Sequence, residues 1–173
     1  MKRLLMVCHG NICRSTMAEY VMRDLVDRRG LADAIVVDSA ATSREALGCT
    51  PHHGTREVLR RHGIACGSHR SRQMTRADYD AYDLICGMDQ ENLAGMYRIV
   101  AGEQGYGYSW EPVSASYAAQ ADPAGKVHLL LDWSRSPRDI ADPWYTGDFD
   151  ETYRDVREGC ETLLDWLVAQ EDL

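Results

Sequence analysis

The segment CHGNICRS at positions 8–15 constrains the fold of this chain most, because it joins a strand pattern directly to a helix pattern. Residues 3–8 form a short apolar run, which indicates a buried strand that ends in a turn. Apolar residues then recur at helical spacing, at Ala18, Val21, Met22 and Leu25. We expect Ser15 or Thr16 to cap this helix and Gly30 to end it. The chain therefore begins as strand, loop and helix.

The rest of the chain repeats this alternation. Strand patterns at 35–38, 82–88 and 127–131 alternate with helix patterns at 55–61, 93–100 and 153–167. Such an order predicts right-handed crossovers and an α/β fold, in which a four-stranded, mostly parallel sheet is covered by helices on both faces. At about 150 residues per domain, the 173 residues predict a single domain spanning 1–173.

The least regular stretch is 101–126, which is rich in Gly, Ser, Ala and Tyr and indicates a long loop insertion. It precedes the fourth predicted strand. Because loops before and after a parallel strand lie at opposite edges of the sheet, we expect this segment far from the loop at 8–15.

Ligands of an open parallel sheet bind at the carboxyl ends of its strands, where the loop at 8–15 lies. A loop that enters a helix N-terminus turns its backbone N–H groups inward, and the helix dipole favours an anion there. Arg14 adds a planar fork suited to two phosphoryl oxygens. We therefore predict phosphate binding by the loop residues after the first strand, namely His9, Gly10, Asn11, Ile12, Cys13, Arg14 and Ser15.

The same positive field favours a thiolate at Cys8. We expect its pKa to lie well below the free value of about 8.5, so that Cys8 is nucleophilic at neutral pH. Gly10 and Asn11 tolerate positive φ, which suits a loop that curls its amides toward one point. The alternative is an ordinary strand-to-helix turn with a buried cysteine and an exposed arginine.

The composition disfavours nucleic acid and membranes as partners. The chain carries 19 basic and 27 acidic residues, a net charge of −8, which repels nucleic acid and anionic lipid. It has no apolar run near the roughly 20 residues of a membrane span, so we expect no membrane insertion and a cytoplasmic location. Its six cysteines are then expected to be reduced thiols.

Positions 8–15 resemble the signature of the low-molecular-weight protein tyrosine phosphatases, including the second cysteine at position 13. The resemblance continues, in the same order and spacing, through DSA at 38–40, HRSRQ at 69–73, MD at 88–89 and DPWY at 142–145. It implies a four-stranded parallel sheet and hydrolysis of phosphotyrosine in proteins through a cysteinyl-phosphate intermediate, without metal or cofactor.

Hydrolysis of an aryl phosphate also needs a proton for the leaving oxygen. Asp142 is the favoured donor, because Pro143 forces it into extended backbone and so fixes how its side chain is presented. The resemblance selects the same residue, and the alternative is an aspartate in a surface turn. Ser15 is expected both to cap the helix and to donate to the Cys8 sulfur.

The resemblance assigns a supporting network to Asn11, Ser39 and His69, in which polar side chains hold the loop asparagine in a left-handed conformation. Without the resemblance, the alternative for His69 is a satisfied surface histidine. Asp89 matches a family aspartate near that histidine, and we assign it a structural role. Cys13 could form a disulfide with Cys8 on oxidation, or could simply fill the core.

Two expected rim positions depart from the family pattern. His9 replaces a usually apolar residue, either as a substrate contact or as a solvent-facing side chain. Glu45 stands where many members carry an aromatic wall, and it would repel acidic peptides. Trp144 and Tyr145 could still sandwich a phenol ring.

Three other interpretations of the sequence are disfavoured. A zinc site built from two C-x2-H pairs, at 49–52 and 66–69, is disfavoured because His69 has a competing use, so we expect no metal. A thiol-dependent arsenate reductase would need further relay cysteines, of which only Cys86 is suitably placed. A phosphate-binding module without chemistry is disfavoured because Cys8, Arg14 and Asp142 are all present.

Overall fold

The computed structural model describes residues 1–103 and 111–171, with no side-chain description at 171. Strands and helices alternate along these residues as the apolar patterns predict. The elements are β1 (Lys2–Cys8), α1 (Arg14–Arg28), β2 (Ile35–Ala41), α2 (His53–Arg61), α3 (Arg76–Ala81), β3 (Leu84–Gly87), α4 (Gln90–Val100), α5 (Ala115–Ala121), β4 (Val127–Leu129), a 3-10 turn (Leu130–Trp133), α6 (Pro143–Thr146) and α7 (Phe149–Glu171).

The four strands form one parallel sheet in the order β2-β1-β3-β4. This confirms the predicted α/β fold with its ligand-binding loop after the first strand. In the register, Cys8 lies beside Ala41 of β2, and Val7 lies beside Gly87 of β3. The carboxyl ends of the three strands therefore meet around the loop at 8–15.

Helices cover both faces of the sheet. Because successive side chains of a strand point to opposite faces, β1 sends Leu4 and Met6 into one apolar cluster and Leu5 and Val7 into the other. The first cluster packs under α1 and α7, and the second under α3 and α4. Burial on both faces explains why β1 is a continuous apolar run.

The segment 101–126 differs from the predicted loop, because it contains α5. Ser114 caps this helix by accepting a hydrogen bond from the Tyr117 N–H at 3.1 Å. After the helix, Asp122 accepts a hydrogen bond of 2.6 Å from the Tyr79 hydroxyl of α3, which leads into the amino end of β3. The described part of the segment therefore lies at the edge opposite the loop at 8–15, as expected; residues 104–110 lie outside the described residues.

None of the helices within 1–103 and 111–171 combines the length and apolar character that a bilayer crossing requires.

Candidate active site

A cavity of about 230 Å³ opens at the carboxyl end of β1. The loop at positions 8–15 forms its floor, and residues from two other parts of the chain, 45–46 and 142–145, form its walls. Its lining comprises Cys8, His9, Gly10, Ile12, Cys13, Arg14, Glu45, Ala46, Asp142, Trp144 and Tyr145. Most residues predicted for the site thus share one cavity, whereas four of them are outside its lining, namely Asn11, Ser15, Ser39 and His69.

Asn11 gives the floor its shape. It has a φ of 57°, and among the described residues it is the only non-glycine residue with positive φ. Its side-chain amide donates to Ser39 Oγ at 2.8 Å and to Ser15 Oγ at 2.9 Å, while its Oδ1 accepts the Arg72 N–H at 3.2 Å. These bonds offset the strain of a left-handed conformation. Gly10, for which the sequence suggested the same freedom, is not among the glycines with positive φ.

A second layer of polar side chains supports Asn11 from behind. The Ser39 hydroxyl donates a short hydrogen bond to Glu19, a side chain that is almost completely buried on α1. The other carboxylate oxygen of Glu19 pairs with Arg23 at 2.7 Å. His69 bridges the layers, with Nδ1 3.5 Å from Glu19 and Nε2 3.2 Å from the Asn11 carbonyl oxygen.

Sequence reasoning missed Glu19. The only signal in the sequence was its position on the predicted first helix, four residues before Arg23. That spacing also fits an ordinary surface ion pair, so only the tertiary structure identifies it as the anchor of Ser39.

The Cys8 sulfur is buried at the centre of the floor. It accepts the Asn11 backbone N–H at 3.3 Å and lies 3.1 Å from the Ser15 hydroxyl. Ser15 does not cap α1 as expected: the cap position is Cys13, no side chain caps it, and the helix begins at Arg14. The serine hydroxyl is already engaged by Asn11 and Cys8, and it lies inside the helix.

Arg14 is held at the side of the floor by two carboxylates and a carbonyl. Nη1 donates to Asp89 at 2.5 Å and to the Ile140 carbonyl oxygen at 2.9 Å, and Nη2 donates to Asp142 at 3.1 Å. Arg14 lines the cavity, and its buried Nε has no hydrogen-bond partner among the described residues, which leaves one donor of the guanidinium unsatisfied.

The charge state of Arg14 is secured by its neighbours. Burial would lower the pKa of this guanidinium, but the charges of Cys8, Asp89 and Asp142 raise it above its ordinary value. Asp89 was expected near His69; instead it binds Arg14 and caps α4 by accepting the Asn92 N–H at 2.8 Å. Its position just after β3 was the available signal.

Asp142 precedes the short helix α6 and caps it. Its Oδ1 accepts the Trp144 N–H at 3.0 Å, and Pro143 occupies the first turn, where a missing N–H costs nothing. Its other oxygen, Oδ2, accepts the hydrogen bond from Arg14 Nη2 at 3.1 Å, so the carboxylate points toward the floor.

The rim of the cavity is mostly exposed. Trp144 and Tyr145 are 62% and 76% exposed. His9 Nε2 lies 2.9 Å from Glu45, and His9 Nδ1 lies 3.6 Å from Glu91 at the start of α4. The histidine thus faces the cavity between two carboxylates.

The two cysteines of the loop are both free thiols, but their surroundings differ. Burial, together with the charges of Cys8 and Asp142, raises the pKa of Cys13 to about 12. Cys13 is therefore a neutral thiol at physiological pH. Within the described residues, no group of three or more His, Cys, Asp or Glu side chains is arranged to hold a metal ion.

Comparison with known proteins agrees with this geometry. The family model described as low molecular weight phosphotyrosine protein phosphatase matches residues 3–105. The low molecular weight protein-tyrosine-phosphatase YfkJ of Bacillus subtilis is 37% identical over 172 residues, which are 98% of both chains. PtpA of Staphylococcus epidermidis is 33% identical over 168 residues, covering 96% of this chain and 94% of that one.

Solved structures extend the likeness to three dimensions. The crystal structure of YfkJ from Bacillus subtilis superposes with a TM-score of 0.84 at 34% identity, covering 99% of this chain and 97% of that one. DARP, a Drosophila arginine phosphatase, superposes with a TM-score of 0.78 at 29% identity, covering 96% and 98%.

Proposed function

Because the chain belongs to the low molecular weight phosphotyrosine protein phosphatase family, we propose that it hydrolyses phosphotyrosine in proteins through a phosphocysteine intermediate. Cys8 is the nucleophile and Asp142 the general acid, and no metal or cofactor takes part. The observation that carries this proposal is the buried Nε of Arg14, which has no hydrogen-bond partner among the described residues and belongs to a side chain that lines the same cavity as Cys8. A buried cationic donor without a partner indicates an anionic ligand.

The floor binds the phosphoryl group. Backbone amides of residues 9–15 and the Arg14 fork surround its equatorial oxygens, and the start of α1 adds its dipole. Because Arg14 is already held by Asp89 and the Ile140 carbonyl, it needs little reorganisation to receive the ligand.

In the first step the Cys8 thiolate attacks phosphorus in line with the tyrosyl oxygen. The S–P bond forms and the P–O bond to tyrosine breaks. Asp142 donates its proton to the departing tyrosyl oxygen.

In the second step water attacks the phosphocysteine. Asp142, now a carboxylate, accepts a proton from that water, and the S–P bond breaks to release inorganic phosphate. The Ser15 hydroxyl, 3.1 Å from the sulfur, donates to the departing Cys8 thiolate.

The rim contacts the substrate's tyrosine. Trp144 and Tyr145 flank the phenol ring, and Glu45 and His9 face the residues next to it. Phosphotyrosine proteins are therefore the proposed partners, and nucleic acid is not. The net charge of −8 and six free cysteines support a cytoplasmic location.

The test compares two aryl phosphates with poor and good leaving groups. With phenyl phosphate, Asp142→Asn should lower kcat/KM roughly 100-fold, because phenolate needs a proton to depart. With nitrophenyl phosphate the loss should be much smaller. Cys8→Ser should abolish turnover of both while still binding inorganic phosphate, and wild-type rates for Asp142→Asn on phenyl phosphate would refute the acid assignment.

Turnover assays with other substrates distinguish this proposal from other reactions. Phosphoarginine, the substrate class suggested by the name of the Drosophila neighbour, should be hydrolysed much more slowly than a phosphotyrosine peptide, because Trp144 and Tyr145 favour an aromatic ring. Phosphoserine peptide, and arsenate supplied with thioredoxin, should give no turnover. A preference for phosphoarginine would replace the proposed substrate.

Cys13 is proposed to protect Cys8 by forming a disulfide with it after oxidation. Peroxide oxidises Cys8 to a sulfenic acid; the Cys13 sulfur then attacks the Cys8 sulfur, so that the S–S bond forms, the S–O bond breaks and water leaves. Until then, a pKa of about 12 keeps Cys13 protonated. Mass spectrometry after peroxide treatment should show a Cys8–Cys13 bridge. A Cys8 sulfinic acid without that bridge would refute the role.

A further inference from the structure

Three aromatic rings connect the floor of the cavity to the segment that carries Asp142. The imidazole of His52 stacks on the ring of Phe149, with centroids 5.0 Å apart and planes inclined by 12°. The same imidazole makes an edge-to-face contact with the Trp144 ring, with centroids 5.7 Å apart and planes inclined by 78°. Both geometries are favourable for aromatic pairs.

His52 is itself fixed to the phosphate-binding loop. Its backbone N–H donates to the Ile12 carbonyl oxygen at 2.8 Å. Its Nδ1 accepts the Gly54 N–H at 3.0 Å, which caps helix α2 and restricts rotation of the imidazole. The ring is therefore held in place by bonds to the floor and to the helix.

The Phe149 ring approaches α2 unusually closely. A Cβ added at Gly54 would lie 2.5 Å from Phe149 Cε2, a distance that real Cβ atoms do not adopt. A glycine at position 54 therefore permits Phe149 to lie flat against His52, at the point where α7 begins.

Trp144 is where this stack reaches the proposed general acid. The Trp144 N–H donates to Asp142 Oδ1 at 3.0 Å, so a displacement of the tryptophan moves the carboxyl group. With 62% of its surface exposed, Trp144 has little other lateral support, and α6 has only four residues. A contact from His52 therefore has a large share in fixing this segment.

We propose that His52 is a positioning residue for the general acid: its ring, held by the phosphate-binding loop and Phe149, supports Trp144 and so aligns Asp142 with the leaving oxygen. This inference rests on the proposed role of Asp142. His52 is not among the residues that line the cavity, and it acts only through Trp144.

The experiment separates the ring of His52 from its capping nitrogen. His52→Asn keeps a side chain that caps a helix but removes the ring, whereas His52→Phe keeps a ring and removes the cap. His53→Asn is the matched control, since this exposed neighbour touches His52 but has no contact with Trp144 among those observed.

The readout is kcat/KM over a series of aryl phosphates with increasingly poor leaving groups, because this ratio reports transfer of the phosphoryl group to Cys8. His52→Asn should lose about tenfold more activity on phenyl phosphate than on nitrophenyl phosphate. His52→Phe should restore the wild-type dependence on the leaving group, and His53→Asn should retain it. A purely structural defect would instead lower kcat/KM equally for all substrates.

Two results would overturn the inference. One is an unchanged dependence of kcat/KM on the leaving group for His52→Asn, which, beside a defective His52→Phe, would assign the effect to the helix cap. The other is an equal loss of kcat/KM by His52→Asn on every substrate. If His52→Asn does not fold, Phe149→Leu replaces it, because this change removes the ring that stacks on His52 and leaves the His52 cap of α2 intact. Its kcat/KM must then depend more steeply on the leaving group than that of the wild type.

Asp142→Asn serves as the reference in the same series. If Asp142→Asn makes kcat/KM depend more steeply on the leaving group and the His52 and Phe149 variants do not, the positioning role is wrong while the proposed function stands. If Asp142→Asn itself leaves the dependence unchanged, the acid assignment fails first.

Discussion

The floor and the rim of the cavity are built in opposite ways. In the floor, the loop at positions 8–15, Asn11 and Ser15 are fully buried and Arg14 is 2% exposed. Their polar atoms are nearly all bonded within the protein. In the rim, formed by His9, Glu45, Trp144 and Tyr145, the side chains are partly or largely exposed.

This difference matches what each part must recognise. The phosphoryl group is the same in every substrate, so a rigid, preorganised floor serves all of them. The residues around a phosphotyrosine differ from one protein to another, and an exposed rim contacts them at little cost to stability. Changes in the floor should therefore affect all substrates alike, and changes in the rim should depend on the substrate.

The largest expected effect in the floor comes from Arg14→Lys. Lysine keeps the positive charge but loses the planar fork, the free Nε and the paired bonds to Asp89 and the Ile140 carbonyl. We expect kcat/KM to fall by roughly 10²–10³-fold on nitrophenyl phosphate and on phosphotyrosine peptides alike. Inhibition by inorganic phosphate should weaken in parallel. A loss confined to one substrate class would break the distinction between floor and rim.

The floor was largely predictable from the sequence because its geometry is local. Cys8 and Arg14 lie six positions apart on one loop between a strand and a helix, and that spacing alone indicates an anion site. The parallel sheet was predictable for a similar reason, since an apolar run such as 3–8 can be buried on both faces.

The supports of the floor were harder to predict because they are distant in sequence. Asp89 is 75 positions from Arg14, and its contact depends on the pairing of β3 with β1. Glu19 reaches Ser39 across the packing of α1 on β2, which apolar periodicity does not encode. Competing hydrogen bonds explain the wrong cap assignment: Ser15 has a capping side chain, but Cys8 and Asn11 engage its hydroxyl.

Part of the rim escaped prediction because its elements are too short for a periodic pattern. Helix α6, which supports Trp144 and Tyr145, has four residues, about one turn. The family resemblance supplied Trp144 and Tyr145, whereas the contact between His52 and Trp144 depends on how the start of α7 packs against α2.

An intermediate effect is expected for Glu19→Gln, which tests whether the floor depends on its buried support. The amide keeps the shape of the side chain but removes the charge that pairs with Arg23 and lies near His69. We expect a loss of about 1–3 kcal/mol in the free energy of unfolding and a roughly tenfold lower kcat/KM on every substrate. Urea denaturation and steady-state kinetics measure the two.

Asp24→Asn is the matched control for that variant. Asp24 lies on the same helix and pairs with Arg28 at 2.7 Å, but it has no bond to the floor. It should change stability by less than about 1 kcal/mol and leave kcat/KM unaltered. Equal effects of the two substitutions would show that Glu19 supports the helix rather than the phosphate-binding loop.

The smallest effect is expected in the rim, for Glu45→Gln. Removing this charge relieves repulsion of acidic residues next to the phosphotyrosine, and at an exposed site such an interaction changes binding about two- to fivefold. The ratio of kcat/KM for an acidic peptide to that for a neutral peptide should rise by that factor, and this rise should become smaller as salt is added.

Glu57→Gln is the control, because it is the same substitution at an exposed position outside the cavity lining, and it should leave the ratio unchanged. If Glu45→Gln instead lowers the rates for both peptides equally, Glu45 acts through His9 on the floor, and the boundary between floor and rim must be redrawn to include it.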